Sequence, residues 1–226
     1  MTDPARDETV DAARWWEAYL LAENDQADEL RTRALAGDEH ARRQLASWLA
    51  DRARTEEAIE SIRPLADAGD DVAELWLARW LAERDHSDEL RRRAARGDYH
   101  AEHELAGWLA GHDMLGELRQ RADSGDYAAL RVLVGRLVHR DMGHELRELA
   151  EAADPDRRLL ILDVAKQAGS SGPEVPRVRI DLGDDTARYV LARWLATQGR
   201  LDELRQRADR GDEYARCLLA EVEDQP

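Results

Sequence analysis

The chain has 226 residues, enough for a sizeable hydrophobic core, and a formal net charge of −16 at pH 7. That charge argues against nucleic acid and anionic membranes as partners, because both attract basic surfaces. The single cysteine, Cys217, excludes an intramolecular disulfide. No hydrophobic stretch approaches the length of a membrane span and the first residues lack a secretion-signal pattern, so we expect a cytoplasmic protein.

After a first long helix over 7–23, the chain repeats itself. The stretch DELRRRAARGDYHAEHELAGWLAGH begins at Asp88, and similar stretches begin at Asp28, Gly116 and Asp202. Self-similarity at a fixed period is typical of stacked repeat proteins. Each unit predicts a short amphipathic helix followed by a longer one with an apolar stripe, and neither helix can bury its apolar side alone.

A Gly-Asp pair separates the two helices of each unit. The glycine favours the left-handed conformation that ends a helix, and the aspartate can cap the next helix. The pair begins at Gly37, Gly69, Gly97, Gly125, Gly183 and Gly211, and Ala153-Asp154 replaces it once. The steps between units are 32, 28, 28, 28, 30 and 28 residues. The predicted fold is therefore all-α, an α-solenoid of tandem helix-turn-helix repeats forming a single domain over 1–226.

The predicted helices follow from these junctions. The long helices cover 7–23, 38–52, 70–83, 98–111, 126–139, 155–168, 184–197 and 212–222. The short helices cover 28–36, 55–68, 87–96, 115–124, 143–152 and 201–210. Pro64 lies within the second short helix, where it should kink the helix or delay its start.

The segment 169–183 interrupts the pattern. It reads GSSGPEVPRVRIDLG, and its prolines and glycines disfavour a regular short helix. Val178, Ile180 and Leu182 alternate with charged residues, which predicts an extended, non-helical segment. Either these apolar side chains fill the groove left by the missing helix, or the segment is a binding or dimerisation loop.

The long helices carry Leu45-Ala46-x-x-Leu49, Leu77-Ala78-x-x-Leu81, Leu105-Ala106-x-x-Leu109 and Leu191-Ala192-x-x-Leu195. This pattern resembles the Leu-Gly-x-x-Tyr of tetratricopeptide-type helical repeats, in a short form found in high-GC, actinobacterial genomes. The preference for arginine over lysine agrees with such a genome. The units differ from the family in their period, in Ala for Gly and in lacking a terminal proline. The resemblance implies a right-handed superhelix whose concave groove binds a peptide or protein.

Two sets of residues are candidates for binding. Trp48, Trp80, Trp108 and Trp194 recur eleven residues after the glycine, or its equivalent, so we expect them to pack in the core rather than to line a ligand groove. Trp76 is the only tryptophan seven residues after a repeat glycine and is the better candidate for an exposed anchor. The variable positions three and ten residues after the glycine supply the other candidates. They are His40, Ser47, Arg79, His100 and Arg193.

The two arginines of this set, Arg79 and Arg193, could bind a partner's carboxylates, or they could pair with the abundant acids of the chain itself. His100, His103 and Glu104 share a helix but form an incomplete metal-ligand set, so we predict no metal. No phosphate-binding loop, nucleophile elbow or CxxC is present, and we expect neither a catalytic residue nor a cofactor.

The sequence therefore predicts a non-enzymatic scaffold that binds a protein or peptide. The alternative is a small-molecule or natural-product binding protein with a sequestering or immunity role. Tryptophan and arginine side chains would then line its binding site. A homodimer is also possible, through segment 169–183 or through Leu218 and Leu219, which would lack a following short helix.

Overall fold

The protein is all-helical in a computed structural model that describes residues 4–169 and 172–223, with side chains described for 12–169 and 172–222. Within these residues there are fifteen helices and no strand, which confirms the predicted all-α class. The helices are α1 (Pro4–Glu23), α2 (Ala27–Leu35), α3 (Glu39–Asp51), α4 (Thr55–Asp67), α5 (Asp71–Glu83), α6 (Ser87–Ala94), α7 (Tyr99–Gly111), α8 (Leu115–Asp123), α9 (Tyr127–His139), α10 (Gly143–Ala152), α11 (Pro155–Gln167), α12 (Glu174–Asp181), α13 (Thr186–Thr197), α14 (Leu201–Asp209) and α15 (Glu213–Glu223).

Packing follows chain order. The principal contacts join helices one or two places apart, such as α2 with α3, α1 with α3, and α13 with α15. The contacts divide the chain into two compact units, Met1–Trp108 and Leu109–Pro226. In the first unit, one core contains Leu30, Leu45 and Leu49. In the second, another contains Leu191, Leu195 and Leu204. The single continuous domain expected from the sequence stays a prediction.

The Gly-Asp junction is confirmed as a stop and a start at five of its six positions. At Gly183, Asp184 accepts from the amide of Thr186 and α13 has no side-chain cap. Gly97 has φ +87°, and the other five repeat glycines also have positive φ. After it, the Asp98 carboxylate accepts from the amide of Ala101 at 2.9 Å and so caps α7. The junction at Ala153 works differently, because Ala153 is extended and Asp154 caps α11 without a left-handed residue before it. Ala153 carries a Cβ, and the left-handed conformation is less favourable for such a residue than for glycine.

A second left-handed residue follows every long helix from α1 to α13, sixteen residues after the repeat glycine or its equivalent, and the sequence did not predict it. Four of these residues are aspartates and a fifth is Ala53. Non-glycine residues adopt positive φ rarely, but aspartate is enriched among those that do. The aspartates are Asp25, Asp85, Asp113 and Asp141, with φ between 52° and 60°. Each unit is thus bounded by two sharp reversals of the chain.

The predicted extended conformation of segment 169–183 is wrong. Residues Glu174–Asp181 form α12, with the short-helix position of the other units. Pro176 is the third residue of α12, where a helix has no amide partner to lose, so its missing N–H costs little. Val175 and Val178 are both buried and lie three residues apart on one helix face. Ser170 and Ser171 lie outside the described residues.

The start of α12 is held by Asp141, which belongs to the junction before α10. The Asp141 carboxylate accepts from the amides of Glu174 and Val175, each at 3.0 Å. Two glycines make this approach possible. A Cβ on Gly172 would collide with the Asp141 carboxylate, and one on Gly143 would lie 2.8 Å from Cβ of Glu174. The glycine-rich approach to α12 therefore serves close packing rather than breaking the helix.

Pro64 does not delay α4, which begins at Thr55 and continues past the proline to Asp67. Burial of Ile59, Ile62 and Leu65 on one face offsets the lost backbone hydrogen bond. The proline still has one local consequence. It offers no amide hydrogen to the carbonyl of Glu60, four residues earlier, so that carbonyl lacks its usual helical donor.

Candidate partner-binding face

One face of the long helices carries most of the exposed large hydrophobic residues among those described. Positions on each long helix are counted from the repeat glycine as zero. Ala153 takes the place of the glycine for α11. Thr9 takes it for α1, because the left-handed Asp25 lies sixteen residues after Thr9. Positions two, three, six, seven and ten lie on one side of a helix, three or four residues apart. Positions four, eight, nine and twelve face the core, as Ala73, Leu77, Ala78 and Leu81 show in α5, where all four are fully buried.

Eleven large hydrophobic residues are exposed in the described part of the chain, and ten of them lie on long helices. Nine of those ten occupy positions two, three, six or seven, and Leu20 occupies position eleven. The ten are Trp15, Trp16, Leu20, Val72, Leu75, Tyr99, Tyr127, Leu159, Tyr189 and Tyr214. The exception is Leu35, on the short helix α2. We call positions two, three, six, seven and ten the long-helix face.

In the first unit, this face is aromatic. The rings of Trp15 and Trp16 both lie against Tyr19, with centroids 5.5 and 5.4 Å from its ring. On α5, Leu75 is 41% exposed, and half-buried Trp76 lies beside Trp80 with ring centroids 5.8 Å apart. These side chains remain partly in water, although burying a large apolar side chain stabilises a protein by about 1.5–3 kcal/mol.

The second unit repeats the arrangement on α9, α11, α13 and α15. Leu159 is 67% exposed at position six of α11, and Tyr127 is 63% exposed at position two of α9. Tyr189 and Tyr214 contact each other edge to face, with centroids 5.7 Å apart. This contact joins the faces of α13 and α15 into one aromatic surface. These residues were not predicted from the sequence. Position six is charged or polar in α3, α7 and α9, which indicates that this position faces solvent.

The residues selected from the sequence fall on or beside this face. Trp76 is half-buried and Arg79 is exposed, with its guanidinium 3.1 Å from Glu83, one turn later. The pairing of Arg79 with the chain's own acid was one of the two expected outcomes. His40 and Ser47 are half-buried on α3. Arg193 is exposed and has no ion pair within the described residues.

The repeated tryptophans pack on the core but are not fully buried. Trp48 and Trp80 both lie against the core of the first unit, and Trp194 lies against that of the second. The outer edge of the indole ring makes a polar contact in two of them. The indole nitrogen of Trp48 donates to Asp25 at 2.9 Å, and that of Trp108 donates to Asp85 at 2.8 Å. Trp48, Trp80 and Trp194 therefore pack against the cores as expected, and a junction aspartate accepts from the indole N–H of Trp48 and of Trp108.

His100 has a partner within the chain, since its Nε2 lies 3.0 Å from Oδ1 of Asp71. Beside them, burial raises the pKa of Glu74, and the nearby charge of Asp98 raises it further. His100 opposes this effect, but the pKa of Glu74 remains above its usual value. This is an acidic cluster with one histidine, and no group of three potential metal ligands was found among the described residues.

Compared with models of protein families, with curated proteins and with solved structures, the chain gave no match. No helix of the described chain is both long and apolar enough to cross a bilayer.

Proposed function

We propose that this chain is a helical-repeat scaffold, an α-solenoid of tetratricopeptide-like units, which binds a protein or peptide through the long-helix face. The observation that carries the proposal is the confinement of exposed large hydrophobic residues to long helices, with Leu35 as the exception among described residues. Contiguous apolar surface on a folded protein typically marks a site of interaction. Surface hydrophobic residues without a role would be scattered over both helices of each unit.

Regular contacts between successive short helices support the repeat arrangement. Arg63 of α4 binds Glu89 of α6 at 3.1 Å, and Arg177 of α12 binds Glu203 of α14, each pair 26 residues apart. Arg31 of α2 and Glu57 of α4 repeat the same spacing at 3.7 Å. The short helices therefore contact one another through charges, which leaves the apolar residues of the long helices for a partner.

The chemistry of the face favours a partner with apolar anchors. Aromatic side chains such as Trp76 and Tyr189 bury large areas while losing little rotamer entropy, and they are frequent at binding hot spots. The exposed guanidinium of Arg193, at position ten of α13, could add a bidentate contact to a carboxylate. We therefore expect an amphipathic segment with aromatic or aliphatic anchors and at least one acidic residue.

Selection of peptides from a displayed random library on the purified full chain tests the proposal. Selected peptides should bind wild type and lose at least about tenfold in affinity, about 1.4 kcal/mol, when Leu75→Glu or Tyr189→Glu is introduced. Ala95→Glu is the matched control, because Ala95 is exposed on the short-helix side. Peptides that bind both face variants normally and lose binding to Ala95→Glu would contradict the proposal, as would a library that yields no binder.

A further inference from the structure

A charged pocket of about 350 Å³ lies between the short helices α4 and α6 of the first unit. The residues that line it are Arg63, Asp67, Glu89, Arg92, Arg93 and Arg96. Arginines thus outnumber acids in this pocket, although the whole chain has 49 acidic and 33 basic residues. The pocket shares no lining residue with the long-helix face, so it is separate from the proposed peptide site.

The two acids of the pocket already accept from arginines of the chain. Glu89 accepts from the Arg63 guanidinium at 3.2 and 3.1 Å, and Asp67 accepts from Arg93 at 2.6 Å. Burial raises the pKa of Glu89, but hydrogen bonds from Arg63 and Arg93 outweigh it, so this pKa lies below its usual value and Glu89 is ionised. Two further acids pair with the same two arginines, Glu60 at 2.6 Å and Asp98 at 3.9 Å. Arg63 and Arg93 are therefore committed to carboxylates of the chain.

This paired framework recurs between α12 and α14, at the same distances from the repeat glycines. The residues that correspond to Arg63, Asp67, Glu89 and Arg93 are Arg177, Asp181, Glu203 and Arg207. Arg177 pairs with Glu203 as Arg63 pairs with Glu89. A feature that two pairs of short helices share serves their packing. It does not account for the other two arginines of the pocket, Arg92 and Arg96.

Arg92 and Arg96 are the uncommitted donors of the pocket. Both are exposed, and neither has an ion pair or a side-chain hydrogen bond within the part of the chain that the structure describes. They lie four residues apart, about one helical turn, where two like charges repel each other. No other unit has arginine both five residues and one residue before the repeat glycine or its equivalent. The other pairs are Thr32 and Ala36, Pro64 and Ala68, Gln120 and Ser124, Glu148 and Ala152, Val178 and Leu182, and Gln206 and Arg210.

The neighbours of Arg92 have structural contacts that Arg92 lacks. The Arg91 guanidinium lies over the ring of Trp108, 5.4 Å from its centroid, and donates to the hydroxyl of Ser87 at 3.0 Å. Arg93 is buried among its acids. Both residues lie in the last turn of α6, so they already supply the positive charge that a helix carboxyl end favours. Arg92 is thus the one arginine of this run whose guanidinium is open to a ligand.

The chemistry of two adjacent free guanidiniums selects the ligand. Each guanidinium presents a planar fork of N–H donors that matches carboxylate and phosphate oxygens. A carboxylate has two oxygens and fills one fork, whereas a phosphate monoester has three acceptor oxygens and a charge of about −1.5 to −2 at pH 7. The monoester can therefore accept from both arginines and balance both charges.

We infer that Arg92 and Arg96 bind the phosphoryl group of a phosphate monoester, carried either by a peptide side chain or by a small molecule. General attraction of anions does not explain such binding, because the chain has a net charge of −16 and repels them at long range. Affinity has to come from the local contacts of the two guanidiniums.

Four probes test the inference on the full chain: phenyl phosphate, phenyl sulfate, and the peptide Gly-Ala-Ser-Ala-Gly with and without a phosphate on its serine. Titration into ¹⁵N-labelled protein gives dissociation constants and shows which amides shift. Phenyl phosphate should bind saturably, shift amides of α4 and α6, and bind at least about tenfold more tightly than the singly charged sulfate. The unphosphorylated peptide should not bind. A phosphopeptide that binds more tightly than phenyl phosphate identifies a phosphorylated side chain as the source, and the reverse order identifies a small ester.

Four variants locate the site. Arg92→Gln and Arg96→Gln should each weaken phenyl phosphate at least about fivefold. Arg92→Lys keeps the charge but loses the fork, so it should bind more weakly than wild type and more tightly than Arg92→Gln. Arg210→Gln is the matched control, because Arg210 is also exposed and has the repeat position of Arg96, but Gln206 takes the place of the second arginine. It should bind as wild type does. Thermal unfolding shows that each variant is folded.

The inference is overturned if neither phosphorylated probe binds saturably, or if phenyl sulfate binds as tightly as phenyl phosphate. It is also overturned if folded Arg92→Gln and Arg96→Gln both bind as wild type, or if Arg210→Gln weakens binding as much as Arg96→Gln. None of these results bears on the long-helix face, since no residue of the pocket lies on it.

Discussion

The indole nitrogen of Trp108 donates to the carboxylate of Asp85 over 2.8 Å. Trp108 lies on α7, whereas Asp85 is the left-handed residue that follows α5. The same bond joins Trp48 to Asp25, again 23 residues apart. One side chain thus ends a long helix and orients the tryptophan of the next, so the junction and the core are coupled.

Replacement of Asp85 tests that coupling. Asp85→Ala removes the acceptor and leaves a Cβ in the left-handed region, so we expect a loss of about 1–2 kcal/mol of unfolding free energy. Asp85→Gly also removes the acceptor but relaxes the backbone, and it should be about 1 kcal/mol more stable than the alanine variant. In both, hydrogen exchange at the indole N–H of Trp108 should accelerate. Unchanged indole exchange would show that the bond does not hold the ring.

Gly97 and Gly107 form a matched pair. Gly97 has φ +87°, whereas Gly107 lies inside α7, and a Cβ at either position would meet no other atom within 4 Å. Backbone conformation alone therefore separates them. We expect Gly97→Ala to lose about 1–2 kcal/mol, and Gly107→Ala to gain up to about 1 kcal/mol through helix propensity. Chemical denaturation measures both, and equal effects of the same sign would contradict the left-handed cap.

Gly172 should tolerate no side chain. A Cβ there would overlap the Asp141 carboxylate that caps α12. Gly172→Ala should therefore displace Asp141 and cost about 1–3 kcal/mol, the usual range for overpacking, with faster amide exchange in α12. Gly116→Ala is the control, since a Cβ at Gly116 meets nothing within 4 Å. If α12 keeps its protection in Gly172→Ala, the close approach is not required.

Glu74 gives a prediction for pH. Burial and the nearby Asp98 raise the pKa of Glu74, so the folded state favours its protonated form. Its contribution to stability is fully present below the unfolded pKa, about 4.3, and is lost as pH rises through the higher folded value. Glu74→Gln should therefore unfold at a higher temperature than wild type at pH 7, and at the same temperature near pH 4. A stabilisation that is independent of pH would refute the ionisation argument.

Local chain chemistry predicted the helices well. The Gly-Asp pairs set the starts of α3, α5 and α7 to within a residue, because a positive-φ glycine and a capping carboxylate act over a few bonds. The prediction for segment 169–183 failed because it ignored where the proline lies in the helix. Pro176 was treated as a helix breaker, but a proline in the first turn is tolerated. The support for α12 comes from Asp141, more than thirty residues earlier in the chain.

The candidate sites were less predictable than the helices. Trp76, Arg79 and Arg193 were selected because they differ from the residues at the same position in other repeats. Selecting the exposed Leu159 and Tyr189 would have required knowing which positions of the long helix face solvent. The junction aspartates were missed because left-handed conformation is uncommon outside glycine.

The repeat glycine and the second left-handed residue show where this architecture accepts changes in length. From the repeat glycine to the second reversal, the interval is always sixteen residues, as from Gly37 to Ala53 or from Gly69 to Asp85. The remaining interval varies: twelve residues separate Asp25 from Gly37, and sixteen separate Ala53 from Gly69. The added four residues are close to one helical turn, so they preserve the buried face of α4. Whole-turn insertions on the short-helix side therefore offer a route for grafting new loops or ligand pockets while the long helices keep their register.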